Sequence, residues 1–235
     1  MSQEKEWDRE YRDSTFLTKE NEPQADVVRF VKFLKKQFKN SKNSESLQDF
    51  YKADVLDLGS GAGRNSFYFS ELGANVVGFE ISDRAIEIAK NFALEAGQNI
   101  SYKKQNIGEV FPCEDNSFDM ALDVTSSNSL SEAEREIYLI ETHRVLKDNG
   151  YFFVKALCKD TDDNAKNLLK NLPGPEKDTY ILPETHITER VWTMSDFVAT
   201  YEKYFTILHL EKKTSYTHMS GRLYKRNFWI GYMKK

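Results

Sequence analysis

The stretch VLDLGSGAGR, residues 55–64, carries Val55, Leu56 and Leu58 and then places glycine at every second position: Gly59, Gly61 and Gly63. A strongly apolar strand that stops in so little side chain is making room. Glycine takes positive φ at no steric cost and lets another group approach the main chain without meeting a Cβ. At the end of a strand in a parallel sheet, the place where ligands bind, such a loop lets a ligand reach backbone N–H groups.

The rest of the chain supplies the sheet. ADVLDLG reads as a buried strand and RNSFYFSELG as the helix after it, closed by Gly73. NVVGFE is a second strand, and SDRAIEIAKNFALEAG a second helix with Ser82 as N-cap and Gly97 at its end. ISYKKQ makes a third, weaker strand, FDMALDV a fourth and YFFVKAL a fifth, the last following the KDNG turn. Between the fourth and fifth, SEAEREIYLIETHRVLK is an amphipathic helix whose apolar face is expected from Ile137, Ile140, Val145 and Leu146. Upstream, residues 24–39 hold Val27, Val28, Val31, Leu34 and Phe38 at helical spacing, with Pro23 suited to the first turn. A polar NSKNSES stretch links this helix to the first strand.

Strand and helix alternate, which implies parallel strands joined by right-handed crossovers and covered on both faces. The last third breaks the rhythm. Residues 159–194 are polar, contain Pro173, Pro175 and Pro183, and show no clear periodicity. A helix near SDFVATYEKY precedes FTILHLEKK and RLYKRNFWIGYMKK, whose short link forces antiparallel pairing. The expected fold is α/β: a doubly wound, mostly parallel seven-stranded sheet with an antiparallel C-terminal edge.

The 235 residues suffice for one such domain, and a formal charge of −4 argues against a polyanion as main partner. Lys212, Lys213, Arg222, Lys225, Arg226, Lys234 and Lys235 gather near the C-terminus and read as solvated strand edges. Tyr224, Phe228, Trp229 and Tyr232 read as strand packing. Cys113 and Cys158 lack metal-ligand spacing and are expected to be passive thiols, with no metal site. The charged start, MSQEKEWDRE, lacks an apolar stretch, and no apolar run approaches the roughly 20 residues of a membrane span. A cytoplasmic, soluble protein is expected. Among the histidines, His143 ends a helix and needs no catalytic role. His186, His209 and His218 belong to no motif.

Asp57 lies inside the strand before the glycines, and Glu80 ends the next strand. A carboxylate at that second position can accept both hydroxyls of a ribose, so a nucleoside ligand is indicated. The dinucleotide fingerprint would need glycine at position 64, where the chain has Arg64, and the phosphate-loop pattern is absent.

VLDLGSGAGR, VVGFEIS, FPCEDNSFDMAL and HRVLKDNGYFFV together resemble the successive motifs of class I S-adenosylmethionine-dependent methyltransferases over roughly residues 50–155. The flavour is that of the small-molecule group that includes ubiquinone-biosynthesis-type enzymes. The resemblance implies a Rossmann-like methyltransferase fold, S-adenosyl-L-methionine as cofactor with S-adenosyl-L-homocysteine as product, and in-line methyl transfer to a small-molecule acceptor. Gly59, Ser60 and Gly61 would line the amino-acid half of the cofactor through backbone groups. Asp57 would orient that loop and help hold the ammonium. Glu80 would take the ribose hydroxyls, Ile81 would pack on the adenine, and Ile107 would offer its N–H to the ring. Asn106 stands where the family usually has an acid. Asp123 lies where the family's backbone touches the methionine part, and Trp7 and Tyr11 resemble an aromatic pair that folds over the cofactor. No catalytic residue is assigned.

One domain over 1–235 is expected: an N-terminal helical lid segment (1–50), the cofactor-binding core (51–158), a substrate-side insertion (159–194) and a C-terminal helix with antiparallel strands (195–235). The acceptor is expected between residues 1–22 and 159–194. Monomer and homodimer are both open. The alternatives are an RNA or protein methyltransferase using the basic C-terminal strands, a nicotinamide oxidoreductase, and a non-catalytic cofactor-binding scaffold.

Overall fold

The computed structural model describes residues 3–13, 22–40, 52–219 and 222–235. The NSKNSES stretch beyond Asn40, residues 14–21 of the lid segment, and the side chains of Phe38, His218, Arg222 and Tyr224 lie outside the described residues. Along the chain come α1 (Glu4–Asp13), α2 (Ala25–Asn40), β1 (Asp54–Leu58), α3 (Arg64–Glu71), β2 (Asn75–Glu80), α4 (Asp83–Glu95) and β3 (Ser101–Lys104). Then follow β4 (Phe118–Val124), α5 (Glu132–Val145), β5 (Leu146–Leu157) and α6 (Asp163–Asn171). The described residues end with β6 (Thr179–Ile181), β7 (Thr188–Arg190), α7 (Met194–Tyr201), β8 (Thr206–Met219) and β9 (Arg222–Lys234).

Seven strands form one sheet in the order β3-β2-β1-β4-β5-β9-β8. The β3-to-β5 pairs are parallel, and β9 runs antiparallel to both β5 and β8. The chain moves outward from β1 through β2 to β3, then returns to lay β4 on the other side of β1. That reversal opens a crevice at the carboxyl ends of β1 and β4, where open α/β sheets take ligands.

Two apolar layers cover the sheet. On one, α2 buries Val27, Phe30, Val31 and Leu34. Phe30 sits 5.3 Å from the Phe153 ring and 5.1 Å from that of Tyr232. Truncating such a residue to alanine costs about 3–5 kcal/mol, because the transfer energy is lost and a cavity remains. On the other face, α5 and α7 pack Tyr138, Leu139, Phe197 and Tyr201 against Phe152 and Trp192. Phe228, Trp229 and Tyr232 are buried strand residues.

α5 differs from the expectation in its phase. Ile137 and Ile140 are 38% and 46% exposed, while Arg135, Tyr138, Leu139, Thr142 and Val145 are buried. A capping box between Ser131 and Glu134 fixes how the helix enters the sheet, and the buried stripe includes an arginine and a threonine that an apolar count passes over. The 159–194 segment is likewise more ordered than its pattern. It holds α6, capped by Asp162, and a two-stranded β6–β7 hairpin. In α6 only Ala165 is fully buried, and three-residue strands are too short to show alternation.

Neither cysteine is disulfide-bonded, and burial pushes the Cys158 thiol up to about 12 and raises that of Cys113. The His143 ring packs on Phe205 at 5.7 Å, and burial lowers its pKa. Among the described residues no helix is long and apolar enough to cross a membrane, and no group of side chains could hold a metal ion.

Candidate functional site

The crevice at the reversal point is a cavity walled by the β1–α3 loop, the ends of β2, β3 and β4, and α1. The loop follows from its glycines: Gly59, Gly61 and Gly63 have φ of +72°, +56° and +88°. A Cβ on Gly59 would lie 2.2 Å from Ser126 Oγ, and one on Gly61 would lie 2.4 Å from the Tyr11 hydroxyl. Position 59 therefore requires glycine twice, once for its backbone and once for its neighbour.

Four of this loop's N–H groups are already engaged within the protein. Gly59 and Ser60 donate to the Phe79 carbonyl, each at 2.8 Å, and Gly63 to that of Ser60. Gly61 donates to Glu80 Oε2 at 2.8 Å. What the loop offers is bare α-carbon surface and carbonyl oxygens, each with a second lone pair. Such a surface suits an ammonium better than a phosphate.

Glu80 is buried, and its other oxygen, Oε1, accepts from Ile81 and Ser82 N–H at 2.8 and 2.9 Å. Burial raises its pKa, and the three N–H groups oppose that. Oε2 accepts only the Gly61 N–H, so a carboxylate on the cavity wall retains capacity for a ligand hydroxyl.

Nine of the eleven residues named from the sequence line the cavity: Trp7, Tyr11, Gly59, Ser60, Gly61, Glu80, Ile81, Asn106 and Ile107. Asp57 and Asp123 do not. Asp57 is buried under the loop and accepts from Ser66 Oγ at 2.6 Å, bracing the first turn of α3. Burial lifts its pKa from 3.8 to about 6, with Glu80 and Asp123 adding repulsion. Asp123 accepts from Ser126 and Ser127 N–H on one oxygen and from the Tyr138 hydroxyl, at 2.6 Å, on the other. Its carboxylate shapes the turn after β4 and turns away from the cavity.

Asn106 lines the adenine end expected from the sequence, but its amide is already engaged. Its Oδ1 accepts the Gly108 N–H at 2.9 Å, and its Nδ2 donates to Glu109 Oε1 at 3.2 Å.

Sequence reading missed Gln3, Gln24, Arg64, Asn65, Thr125, Ser126 and Glu134, all of which line the cavity. Gln24 is held on two sides: its N–H donates to Asn65 Oδ1, and its Oε1 accepts from Lys155 Nζ at 2.8 Å. Lysine has only donors, so the amide oxygen must face it. Thr125 was the one with a signal of its own. It is a β-branched residue at φ +66°, held at the end of β4 by its N–H to the Lys155 carbonyl. Such outliers persist only where surroundings impose them, and they gather at functional sites.

α1 closes one side through polar contacts. Asp8 accepts from Ser82 Oγ and Arg84 N–H at the start of α4. Gln3 bridges the carbonyls of Ser129 and Thr188 and accepts the Thr188 N–H at 2.6 Å. Arg9 donates to the Thr185 carbonyl. The N-terminal helix and the β6–β7 hairpin thus meet at the mouth.

Residues 50–212 match a family described as a methyltransferase domain. A ubiquinone biosynthesis O-methyltransferase of Nitrosospira multiformis is 29% identical over 135 residues, covering 57% of this chain and 54% of that protein. One from Colwellia psychrerythraea is 28% identical over 162 residues, 68% of this chain and 63% of that protein. The chain therefore spans little more than half the length of such curated relatives. Among solved structures, a SAM-dependent methyltransferase from Methanosarcina mazei superposes with a TM-score of 0.70 at 23% identity, covering 80% of this chain and 96% of that one. The PH0226 protein from Pyrococcus horikoshii does so with 0.67 at 21% identity, covering 96% and 98%. At these identities the likeness is one of fold.

Proposed function

We propose that this chain, which belongs to the methyltransferase domain family, transfers the methyl group of S-adenosylmethionine to a small-molecule acceptor. The observation that carries this reading is the joint wall of Gly59, Ser60, Gly61 and Glu80: a carbonyl-bearing, positive-φ loop beside a buried carboxylate on one cavity. The fit to the cofactor is chemical. Loop carbonyls suit its ammonium, Glu80 suits its ribose hydroxyls, and Ser60 Oγ is buried on this wall with no partner. Arg64 is the cationic side chain among the cavity residues, the type of group a carboxylate seeks. When bound, S-adenosylmethionine supplies an electrophilic methyl on sulfur.

The chain's own part is positioning. Trp7, Tyr11 and Ile81 would exclude water, Ile107 and Asn106 would edge the adenine, and Asp57 and Asp123 would keep the loops in place from behind. Alignment of that kind contributes on the order of 7–11 kcal/mol where geometry is tight. No side chain is assigned as a general base. The acceptor would enter between α1 and the β6–β7 hairpin, and residues 1–235 would act as one domain. The net charge of −4 and the burial of Phe228, Trp229 and Tyr232 favour a small molecule over RNA.

Calorimetric titration with S-adenosylmethionine and with NAD(H) tests the reading, followed by transfer of labelled methyl to a panel of small acceptors. Binding of the first and not the second is expected. Binding of NAD(H) alone would overturn it.

A further inference from the structure

Behind the Ser129–Leu130 wall of the cavity lies a cluster of donors without acceptors. Arg135, on α5, is 2% exposed. Its Nη2 donates to the Leu130 carbonyl, while its Nε and Nη1 meet no partner. Arg190, the last residue of β7, also has an unpartnered Nε, and the fully buried Trp192 has an unpartnered indole Nε1. Both guanidiniums pack on this indole. The guanidinium carbon of Arg190 lies 4.1 Å from the centre of the Trp192 ring, and that of Arg135 lies 5.1 Å from it. The Tyr201 ring is 6.0 Å from the same indole.

Among the described residues, no carboxylate forms an ion pair with either arginine. Glu176 and Glu132 act on Arg135 only at a distance, and the Glu176 carboxylate already accepts the Glu132 N–H at 2.9 and 3.1 Å. Burial, together with the charge of Arg190, pulls the Arg135 pKa down to about 10. Guanidinium and indole groups donate and do not accept. A buried Arg135 charge beside the half-buried Arg190, with four bare N–H nitrogens between these residues and Trp192, is costly unless an anion joins them.

The cluster is one layer from the cavity. Ser129 and Leu130 line the cavity, and Arg135 is tied to Leu130. Gln3, also on the wall, joins Ser129 to Thr188 on the strand that carries Arg190.

We propose that Arg135, Arg190 and Trp192 form an oxyanion site for a carboxylate or phosphate group of the methyl acceptor, which makes the acceptor an acidic small molecule. The word acceptor rests on the methyl-transfer reading above; the oxyanion site does not. Charge-assisted bonds from two guanidiniums to one oxyanion are among the stronger contacts a protein makes.

The test is thermal unfolding of the full chain in phosphate, acetate and chloride at matched ionic strength, for wild type and Arg190→Gln. S-adenosylhomocysteine binding is titrated in parallel. Wild type should unfold about 3–6 °C higher in phosphate or acetate, at tenfold their dissociation constant, than in chloride. Arg190→Gln should lose that increment while binding S-adenosylhomocysteine within twofold of wild type. A larger rise in phosphate assigns a phosphate group, and a larger rise in acetate a carboxylate. No anion-specific rise in wild type, or an equal rise in Arg190→Gln, would overturn the site. If Arg190→Gln does not fold, Arg190→Lys keeps the charge without the planar fork and should at least halve the increment; a full increment there overturns the site too. Failure of wild type to bind S-adenosylhomocysteine alongside an intact anion effect sinks the methyl-transfer reading and the acceptor assignment, and leaves the oxyanion site standing.

Discussion

The two walls of the cavity are built in opposite ways. On the near wall, residues 57–82, a short run of sequence satisfies all but a few of its own polar groups, Ser60 Oγ among the exceptions: Glu80 takes three N–H groups, Phe79 takes two more, and Asp57 braces α3. Behind the far wall, residues 126–135 meet residues 176–192 from a distant part of the chain, and donors on Arg135, Arg190 and Trp192, one layer from the cavity, are left bare. A surface held mostly by its own short run of sequence presents one fixed shape, as a constant ligand requires. Under the oxyanion proposal, the donors behind the far wall are met only when an anion is bound.

The sharpest way to break the near wall is Glu80→Ala. It strands three N–H groups, each costing about 1–3 kcal/mol if left unpaired, so a stability loss of roughly 3–5 kcal/mol is expected in denaturant unfolding. Cofactor binding should weaken at least about tenfold in titration. Gln3→Ala at the mouth removes three part-buried hydrogen bonds and should cost less, about 1–3 kcal/mol. An unaltered dissociation constant in folded Glu80→Ala would remove the ribose role.

Asp57 gives the next effect, through pH. Its pKa rises from 3.8 to about 6, chiefly because burial opposes its charge. The protonated form is therefore favoured by folding: the contribution is fully present below about pH 4 and is lost as pH rises through about 6. A shift of about two units corresponds to about 3 kcal/mol. Other groups move the opposite way, since hydrogen bonds and ion pairs hold Asp8, Asp26 and Glu141 below their usual range. The measurement is consequently a difference. Wild type minus Asp57→Asn, followed by denaturant midpoint from pH 4 to 7.5, should tilt toward wild type as pH falls. A flat difference would mean that Asp57 is ionised throughout.

This contrast also governs what the sequence discloses. β1, β2 and β4, the glycines and Glu80 were legible because local pattern and position fix them: apolar runs, positive φ, a carboxylate at a strand end. The antiparallel edge was legible because the link between β8 and β9 is too short for a crossover. The phase of α5 was not, since Arg135 and Thr142 occupy its buried face and Ile137 and Ile140 are exposed. Nor was the pairing of Gln3 with Thr188, 185 residues away, which only tertiary structure brings about. Asp57 was read as orienting the loop and helping hold the cofactor's ammonium, and Asp123 as lying where the family's backbone touches the methionine part; a motif gives position without direction, and in the structure both carboxylates bond within the protein.

Gly59→Ala probes the place where the two walls touch, because its Cβ would strike Ser126, whose hydroxyl donates to the Gly59 carbonyl. The left-handed backbone alone costs about 1–2 kcal/mol for a residue with a side chain, and displacement of Ser126 adds to it. Cofactor affinity should fall about tenfold or more. An affinity within twofold of wild type would show that the loop does not need its observed conformation to bind.

The smallest effect separates the walls at their adenine end. The family resemblance leads one to expect an acid at position 106, yet Asn106 spends its Oδ1 on Gly108 and its Nδ2 on Glu109. Aspartate there would keep the first bond, gain a charged acceptor for the adenine amino group, and lose the second bond to repulsion from Glu109. The two changes oppose each other, so Asn106→Asp alone should alter S-adenosylhomocysteine affinity by less than about threefold. Replacing Glu109 as well, in Asn106→Asp/Glu109→Gln, removes the repulsion. Because a charge-assisted bond exceeds a neutral one by up to about 1 kcal/mol, binding should then tighten about two- to fivefold in titration. If the double variant binds no better than wild type, the amide at 106 is a turn residue that makes no adenine contact, and the near wall ends at Ile81.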